Sequence, residues 1–243
     1  MANPAPAAIA NTAGVRHSLV VRYTHWITTL CFLALLISGV EIVISHPRFY
    51  WGEDGNALMP ALFQIPIPAS RSHVNTGYNF VLPDQNGWSR SLHFQTAWIV
   101  IFTGLLYAAY SLRSGHLRKD LLPAAADLSW ARLSRAVANH LRLVQPGWPY
   151  NVLQRLAYLF VIFGLFPFMI WTGLAMSPAI TAAFPFLVEL SGGQQSARTL
   201  HFFATLALVL FVTVHVLMVW LAGFRRRVQG MITGRAEEPQ EQI

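Results

Sequence analysis

Four long apolar stretches divide this chain, and they constrain its fold more than any other feature. They run over 23–44 (containing HWITTLCFLALLISGVEIVI), 92–112 (LHFQTAWIVIFTGLLYAAYSL), 152–176 (containing LAYLFVIFGLFPFMIWTGLAM) and 200–222 (LHFFATLALVLFVTVHVLMVWLA). About 20 mostly apolar residues is the length at which an α-helix crosses the hydrocarbon core of a bilayer. Backbone in lipid must satisfy its hydrogen bonds internally, so such runs fold as helices. The sequence predicts an all-α membrane protein, a four-transmembrane-helix bundle forming one domain over 1–243. Pro167 interrupts the third run and predicts a kink there.

Composition supports this reading. Charged residues make up 11% of the chain and hydrophobic ones 54%, whereas a soluble domain carries about a quarter charged residues. Too little charge is present to cover a large water-facing surface. Several of the 8 Trp stand at the ends of apolar runs, as interfacial anchors do. The net charge of +7 is not a nucleic-acid signal, because the basic residues lie between the apolar runs. With the N-terminus placed inside, Arg16, Arg22, Arg113, Arg118, Lys119, Arg132, Arg135, Arg142, Arg155, Arg225, Arg226, Arg227 and Arg235 face inward. Only Arg48, Arg71, Arg90 and Arg198 face outward. The asymmetry predicts that both termini are cytoplasmic. Met1 to Gly14 lacks the basic-then-apolar order of a cleaved signal peptide, so the first run is read as a retained helix. The single cysteine, Cys31, excludes an intrachain disulfide and a Cys-ligated cluster, and reads as a small buried apolar residue.

The connections differ in character. The outer loop over 45–91 is long and rich in Pro, Gly, Asn and aromatics, and reads either as an outer docking surface or lid, or as a passive excursion. The inner loop over 113–151 places Leu133, Val137, Leu141 and Val144 on one helical face, with Arg132, Arg135, Asn139 and Arg142 elsewhere. That pattern predicts a basic amphipathic helix on the cytoplasmic leaflet. A second outer loop covers 177–199, and the tail over 223–243 is expected to be frayed. Asp120 and Asp127 are read as solvated. Glu41, near the outer end of the first helix, is a candidate proton partner or a plain interfacial carboxylate.

Of the nine histidines, His17, His46, His73, His116 and His140 fall in loops or tails and are assigned no role. His25, His93, His201 and His215 fall in the apolar runs, where ionisable side chains are costly and point to function. Alternating helix directions sort them by depth: His25 with His215 toward the inside, His93 with His201 toward the outside. His201 and His215 are separated by close to four whole turns, so they share one face about 21 Å apart along the axis. Paired imidazoles from facing helices suit the two axial positions of a b-type haem, and bundle cores house such sites. The spacing predicts two haem b groups, one between His25 and His215 and one between His93 and His201. Arg22, Arg90 and Arg198 each precede a histidine by three residues, on the same flank one turn toward water. They are candidate partners of the haem propionates, or topological charges at helix ends. Gly39 and Gly104 return to nearly the face of His25 and His93 and leave room for a macrocycle or for close helix packing. The third helix has no histidine and would cover the pair without ligating.

These pieces together (RYTHW at 22–26, SLHF at 91–94, GGQQSARTLHF at 192–202 and VTVH at 212–215) resemble the bacterial cytochrome b561 and nickel-hydrogenase cytochrome b superfamily, which includes the cytochrome b subunits of hydrogenase, formate dehydrogenase and thiosulfate reductase. The likeness spans all four helices. It implies a di-haem, quinone-reactive anchor of the bacterial inner membrane, with His25, His93, His201 and His215 as ligands. Its implied partner is a periplasmic catalytic subunit, a molybdenum or nickel–iron enzyme, or a cytochrome c. The long outer loop departs from compact members, so no particular partner carries over. Three functions remain open: an electron-transfer subunit between the quinone pool and an outer redox protein, a stand-alone superoxide–quinone oxidoreductase, and a haem-free transporter or scaffold. Nucleic acid is not an expected partner, membrane lipid is, and oligomer formation is left open.

Overall fold

A computed structural model describes residues 17–56, 58–66, 85–141 and 152–234. Four helices in it are long and apolar enough to cross a membrane. The first, α1, spans Leu19–Ser45, with the Ser18 hydroxyl accepting from the Val21 N–H as its N-cap. The second, α2, spans Gln85–Arg113. The third is continuous over 152–175 but built in three parts: α4 (Val152–Phe160), a widened π turn (Val161–Leu165) and α5 (Phe166–Ala175). The fourth, α8, spans Gln194–Leu221. Each of α1, α2 and α8 begins several residues before its apolar run, at Leu19, Gln85 and Gln194.

The π turn is where Pro167 acts. Proline has no N–H to donate and its ring crowds the carbonyl four residues back. Widening the turn just before it absorbs that misfit, so the predicted irregularity takes the form of a bulge.

The helices pack as two pairs. α1 lies along α2, and α5 lies against α8; these are the close backbone approaches among the described spans. Midway along, Val161, Leu165, Ala204 and Leu208 form a buried apolar cluster, with Phe32 from α1 and Phe211 from α8 packed against it.

The connections hold more structure than the sequence suggested. In the outer loop, Arg48–Phe49 (β1) pairs antiparallel with Phe63–Gln64 (β2). Phe49 and Phe63 stack at 4.7 Å and both meet Phe202 of α8. The described part of this loop is therefore seated on α8; the rest, 67–84, lies outside the described residues. The second outer loop contains two short helices, α6 (Pro178–Ala183) and α7 (Phe186–Leu190), each led by a proline, which suits a helix start. α3 spans Trp130–Leu141 on the predicted amphipathic stretch; Val144 and Arg142 lie outside the described residues.

One expectation is corrected. The tail is not frayed from Gly223 onward but forms α9, Phe224–Thr233, between two glycines in left-handed conformation, Gly223 and Gly234. It is held because the Trp26 indole N–H and the Arg22 Nε–H both donate to the Met231 carbonyl, each at 3.3 Å. Residues 235–243 lie outside the described residues.

Candidate functional site

α8 is the axis of the site. It presents His201 near one end and His215 near the other, and each meets a histidine from the other helix pair. The His25 and His215 ring centres are 6.4 Å apart, and those of His93 and His201 are 6.3 Å apart. The four histidines thus come together in the two pairs that depth and spacing suggest, with the apolar cluster around Ala204 and Leu208 between the levels.

These separations can be tested against an iron between the rings. A metal–imidazole bond is about 2 Å, and the ligating nitrogen lies about 1 Å from the ring centre. Two imidazoles on one iron therefore have centres about 6 Å apart, and both pairs fit. The donor set fits too: two neutral imidazoles per site are what a six-coordinate b-type haem takes. Glycines also stand against the outer rings. A Cβ on Gly39 would lie 3.6 Å from His93 Cε1, and one on Gly173 would lie 3.4 Å from His201 Cε1. Gly104 meets nothing within 4 Å. No group of three or more metal-ligating side chains occurs among the described residues, so a bare-metal site of that kind is not a competing reading of the histidines there.

The two pairs are built differently. At the outer pair, Ser38 Oγ lies 3.0 Å from His93 Nδ1, and Thr172 Oγ1 lies 3.0 Å from His201 Nδ1. Both hydroxyl residues are fully buried. At the inner pair the neighbours are aromatic. Trp26 meets His25 edge-on at 5.2 Å, Phe211 stacks on His215 at 5.9 Å, and Tyr158 meets His215 edge-on at 6.4 Å. His25 Nδ1 is buried with no hydrogen-bond partner among the described residues. Sequence reading passed over Ser38 and Thr172. The available signal was a hydroxyl residue directly before a glycine in the first and third spans.

The three arginines have different surroundings. Arg22 is tied by Nε to Met231, as above. Arg198 donates from Nη1 to the Arg48 carbonyl at 2.9 Å and from Nη2 to the His46 carbonyl, and sits over the Phe49 ring at 4.7 Å. Arg90 is exposed. His116, assigned no role above, pairs with Asp120 at 2.7 Å beside Tyr107 and Tyr110. His73 lies outside the described residues.

A bundle of membrane-spanning helices that meets itself through pairs of imidazoles at two levels defines a class, the membrane cytochromes b. The model of one family in that class, prokaryotic cytochrome b561, matches residues 16–234, and the chain belongs to that family. A relative from Azospira oryzae is 32% identical over 229 residues, covering 90% of this chain and 96% of its own. It is named as a candidate protein-methionine-sulfoxide reductase subunit, YedZ1. No solved structure matches the chain. The protein is thus a multi-pass bacterial membrane protein of cytochrome b561-type electron transfer, and its family binds haem b.

Proposed function

We propose that this chain is the membrane subunit of an oxidoreductase complex and carries electrons between the quinone pool and a catalytic enzyme on the outer face. The observation that supports it best is the pair of ring separations, 6.4 and 6.3 Å, at two levels of one helix. In this reading His25 with His215 holds an inner haem b and His93 with His201 an outer one. Haem b supplies reversible one-electron storage at its iron. Held by two imidazoles each, the haems would pass electrons and would leave no place for oxygen.

The chain's own residues do the rest. Four histidines on three helices place the two sites at different depths. The apolar cluster between them keeps water from the path. Arg90, exposed beside the outer pair, has a guanidinium available for a propionate, whereas Arg22 and Arg198 are engaged by backbone carbonyls. Both termini are cytoplasmic in this reading, which puts the α8 N-terminus and the structured outer loop on the periplasmic side. The relative named as a sulfoxide reductase subunit supports a reductase as the partner, on the periplasmic side in this reading.

The test is haem stoichiometry with paired variants. Pyridine haemochrome assay of the purified chain should give about two haems, and a value near one counts against the reading. His93→Ala and His201→Ala should remove the same haem and leave the other, while His25→Ala and His215→Ala remove the second. If His201→Ala removes the haem that His25→Ala removes, the pairing is wrong. Purification from native membranes should bring down an outer oxidoreductase. Turnover by the chain alone with superoxide and quinone would instead favour a stand-alone enzyme.

A further inference from the structure

The outer histidines are held by the same device on two different helices. On α1, Ser38 and Gly39 are consecutive: the Ser38 hydroxyl meets His93 Nδ1 at 3.0 Å, and Gly39 leaves the space against His93 Cε1. On α5, Thr172 and Gly173 are consecutive and do the same for His201. The two dipeptides lie on opposite sides of the pair and come from different parts of the chain.

The hydrogen bonds decide where the protons are. A hydroxyl has one proton to donate and two lone pairs. The Ser38 hydroxyl proton is committed to its own helix, to the Ala34 carbonyl at 2.8 Å with the Leu35 carbonyl at 3.2 Å. The Thr172 hydroxyl proton is likewise committed to the Phe168 and Met169 carbonyls, both at 3.0 Å. Toward the rings, each oxygen presents only lone pairs. With each hydroxyl proton on its helix carbonyl, the facing ring nitrogen is the donor. A neutral imidazole with Nδ1–H has its lone pair on Nε2. Nothing equivalent occurs at His25, whose Nδ1 is buried without a partner among the described residues.

We propose that Ser38 and Thr172 are positioning residues that lock His93 and His201 as Nδ1–H tautomers with Nε2 reserved for iron, so that the outer site is set before haem arrives and takes haem first. This rests on the di-haem reading above. At the inner site His25, with no partner on Nδ1 among the described residues, can change tautomer and tilt until haem fixes it. An acceptor on Nδ1–H also makes the imidazole a stronger donor, which favours ferric over ferrous iron and holds the potential of the outer haem down.

The first test needs no haem. In apo protein labelled with 15N-histidine, His93 and His201 should each show a protonated Nδ1 and a bare Nε2. Ser38→Ala should give a tautomer mixture at His93, and Thr172→Val one at His201. Thr172→Ser, which keeps the hydroxyl, should restore the single tautomer and separates this role from packing. Unchanged spectra in both hydroxyl-free variants would overturn the proposal.

The second test is haemin titration of the apo protein. The His93–His201 site should fill first. Loss of either hydroxyl should weaken that step about 10- to 100-fold and raise the midpoint potential of that haem only, as identified by its loss in His93→Ala. Simultaneous filling in the wild type, or a shift confined to the haem lost in His25→Ala, would overturn the proposal. A protein that binds two haems with neither effect sinks this inference alone, whereas one that binds none sinks the reading it rests on.

Discussion

Gly193→Ala should damage the protein far more than Gly52→Ala, although the two glycines touch. Gly193 precedes α8 with φ 108° and ψ 166°, a region that is essentially closed to side chains and costs about 1–3 kcal/mol when forced. A Cβ there would also run into the backbone of the outer loop, 2.6 Å from the Glu53 amide nitrogen and closer still to Gly52. That contact holds the loop on the helix N-terminus. The Gln195 and Ser196 N–H groups donate to the Gly52 carbonyl at 3.0 and 3.2 Å. The Gly52 N–H donates to Ser196 Oγ at 2.7 Å, and the Gln194 N–H donates to Glu53 Oε2 at 3.0 Å. The Gln194, Gln195 and Ser196 N–H groups are the donors that a helix N-terminus leaves without an intrahelical partner. Pushing the loop away breaks several of them at about 0.5–1.5 kcal/mol each, more for the carboxylate. With the backbone strain, the loss should reach about 3–6 kcal/mol. Gly52, at φ 101°, has nothing within 4 Å of its missing Cβ, so Gly52→Ala should cost only the conformational strain, about 1–2 kcal/mol. Unfolding in mixed detergent micelles, followed by tryptophan fluorescence, measures both. Trypsin should also cut at Arg48 in Gly193→Ala before it cuts there in Gly52→Ala. Equal losses in the two variants would refute the claim that the loop is pinned through this backbone contact.

Two further outcomes follow from the outer face. Burial, then the positive charges of Arg198 and Arg90, hold the His46 imidazole below its ordinary range, against the opposing effect of its hydrogen bond to the Ile42 carbonyl. The folded state thus binds fewer protons there than the unfolded chain, whose histidine titrates near 6.5. The contribution of His46 is flat above about pH 6.5 and becomes destabilising as pH falls below it. Thermal melts at pH 5 and pH 8 should show a smaller acid loss in His46→Gln than in the wild type, and identical losses would contradict the assignment. Arg198→Gln should lose about 1.5–3 kcal/mol by releasing the His46 and Arg48 carbonyls, whereas Arg90→Gln should change stability by no more than about 0.5 kcal/mol. The same unfolding assay checks both, and equal losses would mean that the Arg198 contacts carry no net stability.

What was legible from the sequence was whatever lies along a single helix. The four spans follow from length and apolarity. The position of His201 and His215 on one face follows from the helical repeat, and the pairing by depth follows from the alternation of directions. What failed to show depends on where a second segment lands. Gly52 and Ser196 are 144 residues apart, and nothing in the composition of the loop says that its backbone caps α8. Nor does the polar tail after Gly223 reveal that the Met231 carbonyl ends beside Trp26.

The glycines show the same limit inside the site. Gly39 and Gly104 each return to nearly the face of His25 and His93, and the sequence reads both as room for a macrocycle or for close helix packing. Yet Gly39 faces the ring of His93, a histidine of the neighbouring helix, while Gly104 has open space around it. An offset along one helix names a face; it does not name what stands opposite. That is set by the rotation of each helix against its neighbour, which side chains on both decide together. Ser38 and Thr172 belong to this second kind of information. A hydroxyl residue in a membrane helix ordinarily bonds back to its own carbonyls, as both of these do, and that local bond hides the outward one. Only when α1 meets α2 and α5 meets α8 does the spare lone pair of each oxygen find an imidazole. A position that looks self-satisfied along its own helix therefore becomes the contact that fixes how its neighbour's histidine is protonated.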